Sequence, residues 1–576
     1  MTSKDDITVG GYLLERLAQL GVQSVFGVPG DFNLGFLDLV DDHPKLEWIG
    51  NCNELNASYA ADGYARVKPK SVGALITTFG VGELSAVNGI AGAFSEHIPV
   101  VHIVGVPSTA QQKSKPMLHH TLGDGRYDAY YTAAQQFAVS WAFLNDTHTA
   151  AAEIDRVITA CITRARPVYL MLPTDIAYER IPKGSLETGP LVRQPPEVDT
   201  AIEDFVIDEI VKLVKEAGSS VAILADSCAI RHHCEDELLE LIKETGYPVY
   251  CAPMGKTVVP EDYERYGGIY IGSITPPEVK QAVESTKLIL SVGLLNSDFN
   301  TGGFTYRIEP TSTVQLHSDH TKIQYAMFPD VGMKHLLPKL TSALRDLKSS
   351  AVSVAVPPFK ATIPSPNDDP LHPIISQAYF WPRMAAFFKP KDVIVAETGT
   401  SSFGVLGVPF PKDSIFVSQI LWGSIGYTVG ATLGAALGAR ERGLGRTILF
   451  VGDGSLQLTV QELSTMMKCG LAPIVFVLNN SGYTIERYLH GKTRAYNDIV
   501  NWKWTQLLEV LGPDAKPAPK SYTVNNKTEL EELLDDPDFA KAERMQLVEV
   551  MMDKFDAPEA LQRTAELSTK ANKYAQ

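Results

Sequence analysis

The sequence predicts an α/β fold class with three doubly wound parallel-sheet domains. Three observations point to it: short, almost continuously apolar runs, amphipathic segments between those runs, and two proline-rich interruptions. Runs that are apolar at every position are typical of parallel strands covered by helices on both faces. In addition, 576 residues are too many for one hydrophobic core, so we expect about three or four domains.

Two predicted linkers separate the domains. The first domain, residues 1–185, contains the runs VQSVFGV, ALITTFG, PVVHIVGV and PVYLMLP. Four prolines and two glycines predict a linker over residues 180–200. The second domain, residues 200–350, contains VAILAD, PVYCAP, LILSVG and TVQLHS. It has no G-x-G-x-x-G after its first strand, which disfavours a nicotinamide or flavin site. The linker VAVPPFKATIPSPNDDP leads into the third domain, residues 368–576, with DVIVAETG, TILFVGDG and PIVFVLNN.

The composition disfavours several classes of protein. A net charge of −16 without a basic patch argues against a nucleic-acid partner, because clustered Lys and Arg bind such partners. The sequence contains no run of about 18 apolar residues, so no membrane span is predicted. The charged start MTSKDDITVGG is unlike a secretory signal. The six cysteines form no C-x-x-C pair, so we expect reduced thiols and a cytoplasmic location.

Two polar residues at the ends of neighbouring strands predict a site for a metal ion and a diphosphate. Asp453 follows the run TILFV within G-D-G, and Asn480 follows PIVFVL, a separation of 480 − 453 = 27 positions. One strand–helix–strand unit fills that separation, so both side chains should emerge at the same edge of the sheet. Their oxygens suit Mg²⁺, and Gly454 lets the backbone approach a ligand at a helix start that favours anions. Either motif alone would be interpreted as a turn; both on consecutive strands favour the site.

These motifs carry a resemblance to a known family. GDGSLQLTVQEL followed by LNNSGYTIE resembles the paired motif of the thiamine-diphosphate enzymes, most closely of their pyruvate decarboxylase branch. The resemblance extends over nearly the whole chain and includes the segments ETGTSSFG, LWGSIGYT, NCNELNASYAADGYAR and TTFGVGELSAVNG. It implies thiamine diphosphate and Mg²⁺ as cofactors, with Asp453, Asn480 and the Gly482 carbonyl as metal ligands. The remaining cofactor-binding residues that it implies are Glu54, Thr398, Thr400, Gly423, Ser424, Ile425, Gly454, Ser455, Ser481, Tyr483, Thr484 and Ile485.

Glu54, in NCNELNA, is the residue that the resemblance assigns to cofactor activation. On its own it is an acid at the start of a helix rich in small residues, where a carboxylate is favourable beside the helix dipole. In the related enzymes the matching glutamate bonds the aminopyrimidine, whose 4′ nitrogen then takes the thiazolium C2 proton. Ile425 matches the bulky residue that bends the cofactor into a V, and the Gly423 carbonyl matches the acceptor for the 4′ amino group.

Four further residues are assigned to catalysis at the substrate end. Taken separately, they would be interpreted as a turn residue (Asp31), an exposed pair (His119 and His120) and a helix-capping acid (Glu486). The resemblance places all four around thiamine C2, with Asp31, His120 and Glu486 also binding substrate. It implies non-oxidative decarboxylation of pyruvate, a small 2-oxo acid, to acetaldehyde and CO₂ through a C2 ylide and an enamine. Histidines and crowded carboxylates can deliver protons near neutral pH.

Other activities stay open at this point. Phe299, Ser402 and Ile485 match pocket positions, but the small Ser402 leaves the pocket volume undetermined, so an indolepyruvate or phenylpyruvate decarboxylase is an alternative. A carboligase is less favoured, because related carboligases share the cofactor motifs without the His-His pair. An inactive relative acting as a filament or regulatory subunit is disfavoured, because Glu54 and Asp453 are both present.

The resemblance also implies regulation and assembly. Cys228 matches a cysteine implicated in substrate activation, and Glu96 and His97 match residues proposed to relay that signal to the cofactor. Without the resemblance, a lone cysteine would be interpreted as a small buried side chain. Related enzymes form each site from the first domain of one subunit and the third domain of another. We therefore expect self-association as a dimer of dimers, a homotetramer.

Overall fold

The computed structural model describes residues 6–347 and 354–574, which form three α/β modules joined by loops and short 3₁₀ turns. The first module contains β1 (Asp6–Thr8), α1 (Val9–Gln19), β2 (Ser24–Gly27), α2 (Leu34–Asp41), β3 (Glu47–Gly50), α3 (Glu54–Val67), β4 (Gly73–Thr78), α4 (Val81–Ser95), β5 (Val100–Val106), α5 (Thr109–Ser114), α6 (Ala129–Ala134), β6 (Trp141–Phe143), α7 (Thr147–Arg164), β7 (Val168–Pro173) and β8 (Arg180–Pro182). The second module contains α8 (Thr200–Ala217), β9 (Val221–Ala225), α9 (Ser227–Arg231), α10 (Glu235–Thr245), β10 (Val249–Cys251), β11 (Tyr266–Ile269), α11 (Pro277–Glu284), β12 (Leu288–Val292), β13 (Thr313–Leu316), β14 (His320–Ile323), β15 (Ala326–Pro329) and α12 (Met333–Leu344). The third module contains α13 (Gln377–Phe387), β16 (Val393–Ala396), α14 (Thr400–Leu406), β17 (Ile415–Val417), α15 (Tyr427–Arg442), β18 (Thr447–Gly452), α16 (Asp453–Thr459), α17 (Glu462–Lys468), β19 (Ile474–Asn479), α18 (Thr484–Leu489), α19 (Leu507–Leu511), β20 (Lys520–Val524), α20 (Lys527–Asp535), α21 (Pro537–Lys541), β21 (Gln546–Met551) and α22 (Glu559–Tyr574).

The first and third modules each hold a six-stranded sheet in which all paired strands are parallel. The strand orders are β3-β2-β4-β5-β7-β6 and β17-β16-β18-β19-β21-β20. Strands β4, β5 and β19 are buried along their whole length, as expected for runs that are apolar at every position. Helices cover both faces of each sheet, so the predicted fold class is confirmed.

The second module holds a seven-stranded sheet in the order β11-β10-β9-β12-β13-β14-β15. Its pairs are parallel from β11 to β13, whereas β13, β14 and β15 pair antiparallel. This edge hairpin was not among the predicted strands. Its last strand is largely exposed, so it lacks the apolar run that marks the other strands.

The segment predicted as the first linker begins with a short strand. Strand β8 pairs antiparallel with β1, with Ile7 opposite Ile181. The backbone N–H of Val9 also donates to the Glu179 carbonyl at 2.9 Å. These bonds attach the end of the first module to its beginning before the chain continues to α8.

Helices α3 and α15 join the first and third modules by close backbone contact. A Cβ on Gly434 would overlap the Ala60 carbonyl oxygen, and a Cβ on Gly63 would overlap that of Ala431. Tyr64 adds a hydrogen bond, donating its hydroxyl to Glu441 at 2.6 Å. This packing places the start of α3 beside the third module. Among the described residues, no helix combines the length and apolarity needed to cross a membrane.

Candidate active site

The carboxyl ends of β18 and β19 bring Asp453 and Asn480 together, as the strand arrangement predicts. The two strands pair in parallel, so the residues that follow them lie at one edge of the sheet. Asp453 is fully buried, and its carboxylate accepts from the backbone N–H groups of Gly454 at 2.8 Å and Gly482 at 3.1 Å. Burial raises the pKa of Asp453 to about 6, although these N–H donors oppose that effect.

The Asn480 amide provides a test of whether a cation fits this edge. Its side-chain oxygen faces two acceptors, lying 3.3 Å from Asp453 Oδ1 and 2.8 Å from the Gly482 carbonyl oxygen. Turning the amide over would let its nitrogen donate to both, with its oxygen accepting from Thr484 Oγ1 at 2.9 Å. In the first orientation three oxygens converge without a hydrogen, which is the donor set that a hard cation binds. In that orientation the edge fits a cation held by one carboxylate, one amide and one carbonyl, whereas in the other the amide nitrogen satisfies both acceptors itself.

Glycines leave the space that this edge needs. A Cβ on Gly454 would lie 2.5 Å from Cε1 of the Tyr483 ring. Gly482 has a φ of 132°, and a Cβ there would overlap the Asn497 carbonyl. Ser481 lies between them with a left-handed φ of 59°. The backbone of the loop is therefore fixed closely around the end of β19.

Further hydrogen bonds hold this loop in place. Thr484 donates its hydroxyl to the Lys554 carbonyl at 3.2 Å, and the Ser481 carbonyl accepts from Arg487 Nη2 at 3.1 Å. Ser455, at the start of α16, is buried. The structure thus collects the predicted residues from Asp453 to Ser455 and from Asn480 to Thr484 at one place.

A buried carboxylate, Glu397, organises the second part of the predicted cofactor site. It accepts from the Thr398 N–H at 2.9 Å, the Gly426 N–H at 3.2 Å and the Thr428 hydroxyl at 2.6 Å. These bonds fix both sides of the turn 423–425, and burial raises the pKa of Glu397 to about 7. The sequence analysis did not single out Glu397, although it lies within ETGTSSFG.

The turn 423–425 is also bonded to the first module. The hydroxyl groups of Ser424 and Tyr59 lie 2.8 Å apart, and Asn88 Nδ2 donates to the same Ser424 oxygen at 3.1 Å. Thr400, at the start of α14, is buried nearby in the third module. The predicted residues of this turn therefore lie where the two modules meet.

Glu54 is the first residue of α3, as predicted for an acid at a helix start. Asn53 caps this helix, its side chain accepting from the Asn56 N–H at 2.8 Å. The partly buried Glu54 carboxylate lies beside α4, where a Cβ on Gly82 would come within 3.0 Å of Glu54 Oε1. Burial raises the pKa of Glu54. Glycine at position 82 thus leaves the space that this carboxylate occupies.

Asp31, His119 and His120 form a polar group at the end of β2. Asp31 Oδ2 lies 2.5 Å from His119 Nε2, and Asp31 Oδ1 lies 3.8 Å from His120 Nε2. Phe32 stacks on the His119 ring, with the ring centroids 5.2 Å apart. The side chains are accessible, with exposed fractions of 45% for Asp31 and 58% for His119. The structure therefore joins three of the four residues predicted at the substrate end.

Two tyrosines hold the loop that carries His119 and His120 through hydrogen bonds to its backbone. Tyr130 donates its hydroxyl to the His120 carbonyl at 2.8 Å, and Tyr127 donates to the Pro116 carbonyl at 2.5 Å. His120 itself has a left-handed φ of 66°. Neither tyrosine was predicted, because GDGRYDAY carries no recognised motif.

Buried Glu83 fixes the turn on which the same loop rests. It accepts from the Gly80 N–H at 2.8 Å and from the Tyr169 hydroxyl at 2.7 Å. A Cβ on Gly80 would overlap the His120 carbonyl oxygen, so this turn and the loop are in direct contact. Burial raises the pKa of Glu83 to about 7. Glu83 was not predicted either.

Predicted pocket residues line an apolar wall where the second and third modules meet. Phe299 and Ile485 pack with Phe403 and with Leu561 of α22. The Phe299 and Phe403 rings are 5.8 Å apart. Ser402, next to Phe403 in the chain, is buried, and its hydroxyl donates to the Gly399 carbonyl at 3.1 Å. The contribution of α22 was not predicted, because a helix so distant in sequence carries no motif.

The remaining predicted residue, Glu486, lies apart from the Asp31 group in one chain. Glu486 is exposed in the first turn of α18. Within residues 6–347 and 354–574, no hydrogen bond or ion pair links Asp31, His119 or His120 to Glu54, Asp453 or Glu486. A single chain thus shows no direct bond between these predicted groups among the described residues.

The predicted regulatory residues lie on a contact path between the modules. Glu96 Oε1 accepts from the backbone N–H groups of residues 420 at 2.9 Å, 421 at 2.7 Å and 422 at 3.1 Å, next to the turn 423–425. His97 Nε2 accepts from Arg166 Nη2 at 2.6 Å. His97, Cys228 and His232 offer ligand atoms that lie within 4.8 Å of one another. Burial raises the pKa of the Cys228 thiol.

Comparisons with known proteins agree with these features. The chain matches the N-terminal TPP binding domain of thiamine pyrophosphate enzymes at residues 7–129, their central domain at 207–344 and their C-terminal TPP binding domain at 397–550. It is 47% identical to a pyruvate decarboxylase of Candida albicans over 98% of this chain and 99% of that protein. It is 46% identical to a pyruvate decarboxylase of Aspergillus fumigatus over 98% of each chain. Pyruvate decarboxylase isozyme 2 of Saccharomyces cerevisiae is 46% identical over 98% of this chain and 99% of its own.

The chain therefore belongs to the thiamine pyrophosphate enzymes and, within that class, to the family of the fungal pyruvate decarboxylases. This confirms the predicted family and thiamine diphosphate as the cofactor.

Proposed function

We propose that this protein is a carboxy-lyase that converts pyruvate to acetaldehyde and CO₂ with thiamine diphosphate and Mg²⁺. The observation that carries the proposal is the Asp31–His119–His120 group within a thiamine pyrophosphate enzyme. The cofactor motifs are common to the class, whereas this acid–histidine group supplies protons for release of an aldehyde. Relatives named pyruvate decarboxylase, at 46–47% identity over nearly the full length, support the same substrate.

The proposed cofactor site uses the two strand ends of the third module. Mg²⁺ would be held by Asp453, Asn480 and the Gly482 carbonyl, with the Asn480 amide turned so that its oxygen faces the ion. Gly454, Ser455 and residues 481–485 would line the diphosphate and the thiazolium. Thr398, Thr400 and the turn 423–425 would face the rest of the cofactor. When bound, thiamine diphosphate supplies the carbon nucleophile that adds to the keto group and accepts the electron pair left by CO₂.

Glu54 would hold a proton at the pyrimidine ring of the cofactor. Its raised pKa, caused by burial, favours the protonated carboxyl more than an exposed glutamate would. The space beside Gly82 lets the carboxylate keep its position at the start of α3. Asn53 stabilises that start, so the carboxylate is presented by a capped helix rather than a mobile loop.

Asp31, His119, His120 and Glu486 would together bind the 2-oxo acid and deliver the proton that completes the aldehyde. The Asp31 carboxylate fixes the His119 ring through Nε2, and Tyr130 fixes the backbone of His120. Held in this way, the imidazoles lose little freedom when the substrate arrives. Glu486 would join them from α18.

Substrate size separates this proposal from its closest alternatives. The wall of Phe299, Phe403 and Leu561 is apolar, which favours an apolar side chain on the substrate without fixing its size, so indolepyruvate and phenylpyruvate remain alternatives. The test is a panel of 2-oxo acids with detection of the aldehyde and of acetolactate. We expect acetaldehyde from pyruvate at the highest kcat/KM. A higher value with an aryl substrate would replace pyruvate, and acetolactate as the main product would indicate a carboligase.

We also propose that the active unit is a dimer within a dimer of dimers. Asp31, His119 and Glu486 are exposed in one chain, and no hydrogen bond or ion pair among the described residues joins Glu486 to the other two, which fits a site completed by a second copy. Exposed apolar side chains border the same regions: Val81, Leu84, Leu421, Trp422 and Leu458. Sedimentation should give a tetramer at micromolar concentration. A fully active monomer would contradict the assembly without affecting the substrate assignment.

Regulation through Cys228 is a further part of the proposal. It is supported by the ligand atoms of Cys228 and His97, which lie within 4.8 Å of each other, and by the three bonds that Glu96 accepts from the backbone at 420–422. Cys228→Ser should turn a sigmoidal rate curve in pyruvate into a hyperbolic one, whereas Cys469→Ser should leave the curve unchanged. A hyperbolic curve for the parent protein would remove this role.

A cytoplasmic location completes the proposal. It is supported by the state of the cysteines, because all six lie within the described residues as free thiols. Fractionation of cells expressing a tagged chain would test it.

A further inference from the structure

The acid–histidine group at the end of β2 also has the composition of a metal site. Asp31, His119 and His120 each offer one ligand atom, and these three atoms lie within 4.8 Å of one another. Two imidazoles and one carboxylate are a ligand set that binds first-row transition metals, with the remaining positions open to water. The proposed function uses these side chains for proton delivery and assigns them no ion.

The spacing of the ligand atoms suits a single ion. Bonds of about 2.0–2.1 Å in a tetrahedral arrangement place two ligand atoms about 3.3 Å apart. Asp31 Oδ2 lies 2.5 Å from His119 Nε2, and Asp31 Oδ1 lies 3.8 Å from His120 Nε2. These separations lie on either side of the required value, so shifts of less than about 1 Å would bring all three atoms to one ion.

Packing holds the three side chains close to this arrangement. The two imidazole rings are inclined at 70° with centroids 4.6 Å apart, and both present Nε2 to the Asp31 carboxylate. Phe32 stacks on the His119 ring, and Tyr130 bonds the His120 carbonyl. The side chains therefore lose little conformational freedom when an ion binds. They are also accessible from solvent, with exposed fractions of 45% for Asp31 and 58% for His119.

The charge around this group favours a cation. In residues 6–347 and 354–574, no lysine or arginine nitrogen lies within 4.0 Å of the Asp31 carboxylate, whose ion-pair partners are the two histidines. The negative charge of Asp31 is therefore not already neutralised by a fixed cation. The net charge of −16 on the whole chain acts in the same direction, because it attracts cations to the protein surface.

Two other groups of possible ligands occur among the described residues: His97 with Cys228 and His232, and His317 with Asp319 and His320. In the first, Arg166 already donates to His97 Nε2, and burial raises the pKa of the Cys228 thiol, which disfavours the thiolate that a metal binds. The second lines a cavity together with Arg164 and Arg166, whose positive charges repel a cation. Of the three groups, the one at Asp31 is the most favourable for a metal ion.

We propose that the Asp31–His119–His120 group binds Zn²⁺ or a similar transition-metal ion, and that the bound ion inhibits the enzyme. An imidazole nitrogen that donates its lone pair to a metal cannot take up or deliver a proton at the same time. Mg²⁺ would not compete for this group, because it prefers the all-oxygen ligands of the Asp453 edge. The inhibition rests on the proposed function, since it requires these imidazoles to deliver the proton, whereas binding of the ion does not.

Binding is tested first, without turnover. The holoenzyme, saturated with thiamine diphosphate and excess Mg²⁺, is titrated calorimetrically with zinc chloride. We expect a saturable zinc site that is weakened in Asp31→Asn and in His119→Gln, each by at least the roughly 10–100-fold that loss of an outer-shell partner costs. Both side chains are accessible, so the variants should fold. His320→Gln is the matched control, because it removes a histidine of another acid–histidine group, and it should bind zinc as the parent does.

Inhibition is tested with pyruvate in zinc-buffered solution. Acetaldehyde formation should fall with the same dependence on zinc concentration as the calorimetric curve, in the parent and in His320→Gln, and should return when a zinc-selective chelator is added. A zinc site that survives in both Asp31→Asn and His119→Gln, or that weakens in proportion to added Mg²⁺, would overturn the inference. Zinc binding at this group without inhibition would overturn the inhibitory role and count against proton delivery by these residues. Absence of zinc binding with normal acetaldehyde formation would overturn the inference alone.

Discussion

Asp31 and His119 are joined by a 2.5 Å contact between Oδ2 and Nε2, although 88 positions separate them in the chain. The contact depends on two supports, since β2 ends just before Asp31 and Tyr130 holds the histidine loop in place. Bonds in which one partner is ionised are about twice as strong as neutral ones. This one persists although both side chains are about half exposed.

Asp31→Asn should therefore lower kcat for pyruvate by roughly 10²-fold or more, the range for loss of a group that assists proton transfer. The amide keeps the size of the side chain but cannot supply the negative charge that orients and stabilises a charged His119. Acetaldehyde formation at saturating pyruvate measures the effect. Asp124→Asn is the control, because Asp124 is an exposed aspartate in the same loop that pairs with Arg126. A kcat within a few-fold of the parent would remove Asp31 from the proton-transfer group.

Glu54→Gln should keep the fold and the cofactor but lose roughly 10²–10⁴ in rate, because the amide cannot exchange a proton with the pyrimidine. Rates are compared after calorimetry has established that thiamine diphosphate still binds. Glu47→Gln serves as the control, since Glu47 is an exposed glutamate of the preceding strand, paired with Arg440. Equal losses in both variants would mean that the effect is not specific to cofactor activation.

Gly454→Ala should weaken thiamine diphosphate binding by roughly tenfold or more. The new methyl group would lie 2.5 Å from the Tyr483 ring, and such overpacking costs about 1–3 kcal/mol. Calorimetric titration of the apoprotein measures the affinity, and thermal melting measures the loss of stability. Gly184→Ala is the matched control, because a Cβ there meets nothing within 4 Å. Unchanged affinity for the cofactor would show that the ligand does not depend on the packing of Tyr483.

Glu83→Gln should change how stability depends on pH. Burial raises the pKa of Glu83 in the folded protein to about 7, above its ordinary value of 4.5. The folded state therefore favours the protonated carboxyl, and that stabilising contribution is present below pH 4.5 and is lost as the pH rises through about 7. As the pH rises from 5 to 8, the stability of Glu83→Gln relative to the parent should therefore increase, by up to about 3 kcal/mol. Denaturant unfolding at several pH values measures the difference, and a constant difference would contradict the assignment.

Much of the fold was predictable because buried strands are apolar along their whole length. The run ALITTFG became β4 and PIVFVLNN became β19, both buried throughout. Edge strands were harder, because they lack this signal. Strand β3 has an exposed Glu47, and β15 of the second module is largely exposed. Their pairing is decided by neighbouring strands rather than by their own sequence.

Much of the site was predictable for a related reason. Asp453 and Asn480 follow adjacent parallel strands, and strand ends share one edge of a sheet. Glu83, Tyr130 and Glu397 could not be found in this way. They support the site through hydrogen bonds to backbone groups, and such bonds depend on where the chain folds rather than on a local pattern.

The contact between α3 and α15 limits how this enzyme can move. The two backbones touch where Gly434 meets Ala60 and where Gly63 meets Ala431, so no flexible side chains lie between them. Sliding one helix along the other would bring backbone groups into collision at these two positions, so shear at this junction is unfavourable. Each helix is continuous through the contact. We therefore expect the first and third modules to move together, so that any opening of the site comes from rotation of the second module or of whole chains.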